Sequence, residues 1–435
     1  MGSVYFMDKE SLIRLGLGNI KNVDLTESHE SYDLDTNNHI IYLKLIKDLN
    51  MPCPCCGVIG QYRLRSTITQ KINHSSLLEN NITIVLHRRI WKCECCNKTF
   101  KEPNPFKLEK DKNTKEKQFK ILQSLSNINN SFSSIANEFN VSITTVINIF
   151  DKHINMKRET LTEVICVDEV YSKHCGYHKY CFILYSPQTD KILDVLPSRN
   201  KEDLCSYFGK IPLNERKKVK FFSMDLYDVY RQVAKICFPN ALICADHFHV
   251  IKNLTDNFNT ARIRIMKKYE YLKNQNDNWY WLYKKYWKKL LRDPSTLGYK
   301  KYKTSKSGCY LNDHEVVTYM LSIDKDLEEA YNLLNEYRVF NSIATTKNAA
   351  EVLDYLIIKF GKSKLAENHK SYKLLKNWRV EIINSFTRID GCVISNGGIE
   401  RANRDVKTII RSAYGFTNFN RLRNRIMYVK NNKHK

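Results

Sequence analysis

The spacing of apolar residues changes period several times along the chain, and each change marks a new segment. "QYRLRSTITQKI" and "NITIVLHRRIWKC" alternate every second residue, the period of a strand with one face buried, and Val85, Ile90 and Trp91 are available for a small core. After the Pro- and Lys-rich "KEPNPFKLEKDKNTKEK" the period lengthens. In "NSFSSIANEFNVSITTVINIFDKH", Ile135, Ala136 and Phe139 form one short helical face, Asn140 suits a left-handed turn and Val141 packs inward. Ser142 then caps a second helix carrying Val146, Ile147 and Phe150. From about Thr160, "EVICVDEVY", "KYCFILYS" and "KILDVLP" predict three strands of an antiparallel meander. "KEDLCSYFGKI" reads as a helix, "KVKFFSMDLYD" as a strand, "YDVYRQVAKICF" as a helix and "ALICADHFHV" as a strand. Residues 251–387 are helical in period and rich in Lys, Tyr and Trp. There "WYWLYKKYWKKLL" predicts an amphipathic packing face with snorkelling lysines, some of them free to track a phosphate backbone. A Gly-Gly turn at Gly397 and Gly398 opens a last long helix. Residues 1–50 carry few signals, and no role is assigned to them.

Composition narrows the partners. The 435 residues leave room for roughly two to four domains, and 43% hydrophobic content can bury a substantial core. A formal charge of +24 and a pI near 9.3 point to a polyanion, with nucleic acid favoured over a membrane surface. The basic residues are spread along the chain, and no apolar run is long enough to span a bilayer. "MGSVYFMDKE" lacks the apolar stretch of a signal peptide, and Phe6 stands where a myristoylation pattern wants Ser or Thr. The expected location is therefore the cytoplasm, a reducing compartment. There, clustered cysteines among the fourteen present bind metal more often than they pair. The isolated Cys166, Cys181, Cys205, Cys237, Cys244, Cys309 and Cys392 read as small buried apolar residues.

"CPCCG", from Cys53 to Gly57, is answered by "CECC", from Cys93 to Cys96, across the two predicted strands. Two C-x-x-C pairs flanking a short β-rich segment form a zinc-ribbon pattern, each pair supplying two thiolates on a tight turn. Cys53, Cys56, Cys93 and Cys96 are the expected zinc ligands, because Gly57 and Asn97 then follow each pair where the turn wants a permissive residue. Cys55 and Cys95 are extra and compete. The two short helices further on make a helix-turn-helix whose second helix would offer Thr144, Thr145 and Asn148 to a DNA groove; an ordinary helical hairpin is the plainer alternative.

Three predicted strands end in acid, at Asp168, Asp225 and Asp246, and the last helix begins with Glu400. Two divalent ions roughly 4 Å apart can activate a nucleophile and stabilise a leaving oxygen in phosphoryl transfer, and hard ions such as Mg²⁺ prefer carboxylate oxygens. Glu169 competes with Asp168, while Asp228 and Asp246 compete with Asp225. His247 and His249 make a carboxylate–imidazole site conceivable, though two histidines in a turn more often cap or pack. On the last helix Glu400, Arg404, Lys407 and Arg411 share one face, so cations follow the carboxylate at phosphate-binding spacing. The order of strands and helices suits a ribonuclease-H-like sheet.

"CPCCG…CECC", "VDEVY", "SMDLYDVY", "ADHFHV" and "SNGGIERANRDVKTIIRSAYGFTNFNRLRNRI" together resemble the DDE transposases of bacterial insertion sequences, in particular the ISL3 family. The resemblance implies a multidomain α+β protein. Residues 1–50 would be an N-terminal segment, 51–101 a zinc ribbon, and 102–157 a linker and helix-turn-helix. Residues 158–250 would begin a ribonuclease-H-like core, 251–387 form an all-helical insertion, and 388–435 complete the core. It also implies a triad of Asp168, Asp225 and Glu400 holding Mg²⁺ or Mn²⁺, two per active site, with a structural zinc elsewhere. His249 would contact DNA or support the metal ligands, and Arg404, Lys407 and Arg411 would hold phosphates. Arg401 stands where the family pattern has Gly. The partners expected are double-stranded DNA (terminal inverted repeats and target), a second copy or more of the chain on DNA, and no membrane, in the bacterial nucleoid. Tyr414 is expected to pack rather than to attack as in a tyrosine recombinase. The rival from another class is a catalytically silent DNA-binding protein of the same fold.

Overall fold

The computed structural model describes residues 4–33, 38–74, 81–108, 110–172, 179–274, 279–304, 309–389, 392–393, 397–413 and 415–432. Tyr414 lies outside them. The chain forms two compact units. One holds Met1–Met156 with Thr408–Phe416 and Asn420–Lys435; the other holds Lys157–Lys407 with Thr417–Phe419.

The first unit contains strand β1 (Val4–Phe6), helix α1 (Lys9–Arg14), β2 (His29–Asp33), β3 (Asn38–Lys44), β4 (Tyr62–Asn73), β5 (Asn81–Cys93) and β6 (Thr99–Lys101). The strands make one sheet in the order β1-β2-β3-β5-β4, with β6 also on β5. Residues before 50 thus build the same sheet as the cysteine-flanked strands. β3 runs parallel to β5, pairing Ile41 with Ile84 and Leu43 with Leu86. These side chains bury a core with Ile72, Ile82, Leu12 and Leu15. The alternation in "NHIIYLK" spans only one short strand, which is why it was faint in the sequence. Val85 and Trp91 are buried as expected, and Ile90 is half-buried.

Three helices follow, α2 (Lys115–Leu125), α3 (Phe132–Glu138) and α4 (Ile143–His153). Ser131 and Ser142 cap α3 and α4 by accepting from backbone N–H groups, each cap contributing about 1 kcal/mol. Asn140 takes φ +46° in the turn between them. Val146, Ile149 and Phe150 are buried on α4, while Ile147 is only half-buried. Sequence order groups the last helix, Phe419–Asn431, with residues 388–435 of the core, yet it packs with α2–α4. Buried Arg425 donates to the carbonyls of Asn127 and Asn130 at 2.9 and 2.8 Å, and Tyr428 to that of Leu122 at 2.9 Å.

The second unit is built on a five-stranded sheet of order β11-β10-β7-β8-β9. β7 (Val164–Tyr171), β8 (Tyr180–Ser186) and β9 (Lys191–Leu196) form the antiparallel meander. β10 (Phe221–Met224) and β11 (Leu242–Ala245) run parallel to β7. The connections are α5 (Lys201–Gly209), α6 (Leu213–Arg216) and α7 (Asp228–Cys237), whose Phe208 and Tyr230 pack edge-on against Phe182 of β8. α8 (His247–Lys268) starts directly after β11, before the expected boundary at residue 251. α9 (Trp279–Leu291), α10 (Asp313–Ile323), α11 (Lys325–Ile343), α12 (Ala349–Lys362), α13 (Ala366–Asn377) and α14 (Arg379–Asn384) follow. This stretch is not wholly helical: β12 (Tyr302–Lys303) pairs with β13 (Tyr310–Leu311). The ribbon is pinned by Tyr302, whose ring lies under Lys289 of α9 at 4.9 Å. A hairpin of β14 (Arg388–Ile389) and β15 (Cys392–Val393) leads to α15 (Gly397–Ser412). Among the described residues no helix is long and apolar enough to cross a membrane.

Candidate active site and metal centres

Register brings three aspartates together. β7 and β10 pair Cys166 with Ser223, and β10 and β11 pair Met224 with Ala245. Continuing each strand one or two residues sets Asp168, Asp225 and Asp246 side by side on strands about 4.8 Å apart. The Asp246 N–H donates to the Met224 carbonyl at 2.8 Å, extending the ladder to the acids. Asp168 sits within β7 rather than at its end, because β8 continues to pair with the strand as far as Tyr171. What ends near Asp168 is the parallel pairing.

Crowding shifts their protonation. Burial, then the carboxylates of Asp168, Asp246, Glu169 and Glu400, push Asp225 up to about 9. Burial also raises Asp168, to about 6, against the opposing pull of the Glu169 N–H. Asp225 Oδ1 is buried with no hydrogen-bond partner. His249 Nε2 lies 3.1 Å from Asp225 and 3.9 Å from Asp246. Burial and then Lys252 hold the imidazole below its usual range, so the proton in this contact stays on the carboxyl. One ligand atom each from Asp225, Asp246 and His249 lies within 4.8 Å of the others. Hard oxygens, one of them orphaned, with repulsion that a divalent cation would relieve, fit Mg²⁺ or Mn²⁺.

Helix α15 brings Glu400 and Asn403 toward these acids. Ile399, Ala402, Val406 and Ile409 are buried, whereas Arg401, Arg404, Lys407 and Arg411 are exposed and Glu400 is half-buried. Asn403 interrupts the buried stripe. Its Nδ2 donates to Asp168 Oδ2 at 2.5 Å, fixing that carboxylate. The resemblance retains Asn403 as part of the family pattern but assigns it no role, although a polar residue on the packed face of an amphipathic helix is the signal that marks it. Of the competitors, Asp246 joins the site, whereas Glu169 and His247 are engaged elsewhere. Glu169 accepts from Arg199 and Tyr230, both at 2.6 Å. His247 packs its ring on Phe386 and lies 2.5 Å from Asn341 Oδ1.

Gly397 and Gly398 form the first turn of α15 itself rather than a turn before it. A Cβ on Gly398 would lie 2.5 Å from the Tyr185 hydroxyl and 2.8 Å from its ring. Tyr185 is buried and donates to Asp190 at 2.5 Å, so it cannot swing aside cheaply. Gly398→Ala is therefore expected to destabilise the protein by about 1–3 kcal/mol in chemical denaturation. Tyr185→Phe in the same chain should recover part of the loss, and strict additivity of the two changes would refute the clash.

In the first unit, Cys53 and Cys96 sulfurs are 3.7 Å apart, and those of Cys56 and Cys93 are 3.6 Å apart. A tetrahedron with zinc–sulfur bonds of about 2.3 Å has edges of about 3.8 Å, so these four thiols can hold zinc. Gly57 and Asn97 take φ +74° and +58° after the pairs. The N–H groups of Cys56 and Cys55 hold the Cys53 thiol down at about 6. Cys56 is pushed up to about 12 and Cys96 is raised by burial and the neighbouring thiols, so the cluster without a cation favours one thiolate among protonated neighbours. Cys55 and Cys95 are exposed and outside the cluster. Of the isolated cysteines, Cys166, Cys181, Cys237 and Cys244 are buried and Cys205 half-buried. Cys309 is exposed instead, beside the short ribbon, and the Cys392 side chain lies outside the described residues. On α4, Thr144 and Asn148 are exposed and Thr145 is half-buried.

No curated protein matches the chain. A family model described as Transposase, that of the ISL3-type DDE enzymes, matches residues 165–426, from the first strand of the five-stranded sheet into the last helix. The match covers more than half of the chain, which therefore belongs to the ISL3 family of DDE transposases.

Proposed function

We infer that this transposase cuts and joins DNA at a metal site built from Asp168, Asp225 and Glu400, with Asp246 and His249 beside them. The observation that carries the reading is the register that aligns three acids, together with the proton that burial, and then their repulsion, keeps on Asp225. Bound Mg²⁺ or Mn²⁺, two ions per site, would supply charge stabilisation at the attacking and leaving oxygens of an in-line displacement at phosphorus. Asp168, Asp225 and Glu400 provide the oxygens for that binding. Asn403 keeps Asp168 in one orientation, and Arg404 and Lys407 hold the DNA phosphates. Hydrolysis of one phosphodiester frees a 3′-hydroxyl, which displaces the leaving oxygen of a target phosphodiester. No covalent protein nucleophile is needed.

The sheet order, with a meander followed by two parallel strands, supports a ribonuclease-H-like core spanning residues 158–250 and completed by α15, with 251–387 as its insertion. The cluster of four cysteines supports a zinc ribbon at 51–101. The Ser142-capped α4 with exposed Thr144 and Asn148 supports a helix-turn-helix at 102–157 that reads the element's ends, with two copies of the chain joining two ends. Residues 1–50 would serve as part of the ribbon's sheet. The test is labelled DNA carrying the element's flanking repeats, incubated with Mg²⁺, Mn²⁺ or EDTA. Cleavage at the repeat end is expected only with metal, and to fall by at least about a hundredfold in Asp168→Asn and Glu400→Gln. Tight repeat binding without cleavage under any metal would instead favour a silent DNA-binding protein.

A further inference from the structure

Charge is segregated among the helices of residues 251–387. α9 carries four lysines and no carboxylate, whereas α11 holds Asp326, Glu328, Glu329 and Glu336. Tyr280, Tyr283, Tyr286 and Leu290 anchor one face of α9 in the core. The opposite face presents Trp281, Lys284, Lys285 and Lys288, and Arg292 continues the row just beyond the helix, spacings that share one side of a helix. Lys284, Lys285, Lys288 and Arg292 are exposed. Lys289, turned toward Asp313, forms an ion pair; among the described residues Lys284, Lys288 and Arg292 form none.

We propose that this face of α9 grips the phosphate backbone of duplex DNA, independently of the catalytic carboxylates and of α4. The proposal rests on the transposase reading for its partner and adds a second contact surface to it. From Lys284 to Arg292 the chain rises about 12 Å at 1.5 Å per residue. A duplex carries one charge per about 1.7 Å, so several phosphates fall within that reach. The rings do not favour single strands. The Lys284 ammonium covers Trp281 at 4.9 Å and Lys288 lies 5.8 Å from Trp287, so neither indole is an open platform for a base. Cations set over aromatic rings on a helix anchored in the core are held in place before binding. Contacts of this kind read no bases, so they suit DNA whose sequence varies, as target DNA does.

The experiment measures full-length protein binding a random-sequence duplex by fluorescence anisotropy across a NaCl series. Lys284→Gln, Lys288→Gln and Arg292→Gln are combined in one chain. All three side chains are exposed, so zinc content and melting temperature should match the parent. The slope of log K against log salt is expected to fall by roughly 2.7, at about 0.9 for each lost phosphate contact. Lys284→Arg, Lys288→Arg and Arg292→Lys, combined, should keep it. A steep parental slope left unchanged in the Gln variant overturns the proposal and leaves the transposase reading standing. A parent that binds neither random nor repeat-bearing duplex overturns both. Binding to vesicles of anionic lipid but not to duplex, lost in the Gln variant, overturns the DNA assignment of this face.

Discussion

Asp225→Asn is expected to abolish strand cleavage and, in the metal-free protein above neutral pH, to raise the melting temperature. The second half follows from sign. The Asp225 carboxyl rises from 3.8 to about 9 on folding, through burial first and then its carboxylate neighbours. The folded chain therefore keeps a proton that the unfolded chain has released. Its contribution to stability is complete below about pH 4 and is lost as pH rises through about 9, at up to about 1.4 kcal/mol per pH unit. Asn mimics the protonated acid at every pH, so the variant escapes this loss. The gap should widen from about pH 5 to about pH 9 in thermal melts. Added Mg²⁺ should close it for the parent alone, since the cation replaces the proton. A parent more stable than the variant at about pH 9 without metal would contradict the crowding of these carboxylates. Retained cleavage by the variant would remove Asp225 from the triad.

The second large effect concerns zinc. Freshly purified, reduced protein is expected to contain about one zinc per chain, with Cys93→Ser losing both the metal and binding to the element's ends. Cys53 and Cys93 are buried, and Cys93 closes β5, so the metal would tie the sheet's longest strand to the turn after Cys53. Structural zinc contributes an apparent 10–16 kcal/mol, about the whole stability of a small domain, so the first unit should melt when the ion is chelated. Cys55→Ser and Cys95→Ser serve as controls and should keep the full metal content. No zinc in the freshly purified, reduced parent would end the assignment.

Much of this molecule was determined by its sequence over short distances. Period-two alternation marked β4 and β5 as strands, although β4 buries only Tyr62 and Ile72, and Ser142 set the start of α4. Gly57, Asn97 and Asn140 took the left-handed backbone expected of them, since glycine pays no Cβ penalty there and asparagine little. Each of these depends on a few neighbouring residues. What tertiary structure alone decided depends on partners far apart in the chain. Which of Asp168, Glu169, Asp225, Asp228 and Asp246 would face one another was open until hydrogen-bond register aligned β7, β10 and β11. His247 and His249 look equivalent in "DHFHV", but on a helix the two point in different directions, one toward Phe386 and the other toward Asp225. Asn403 gained its role only when α15 came to rest against β7, and β3 joined the cysteine-flanked strands only through its parallel pairing with β5. Turns and periods are local energies and can be read along a line; register and helix docking are sums over distant contacts and exist only in the folded chain.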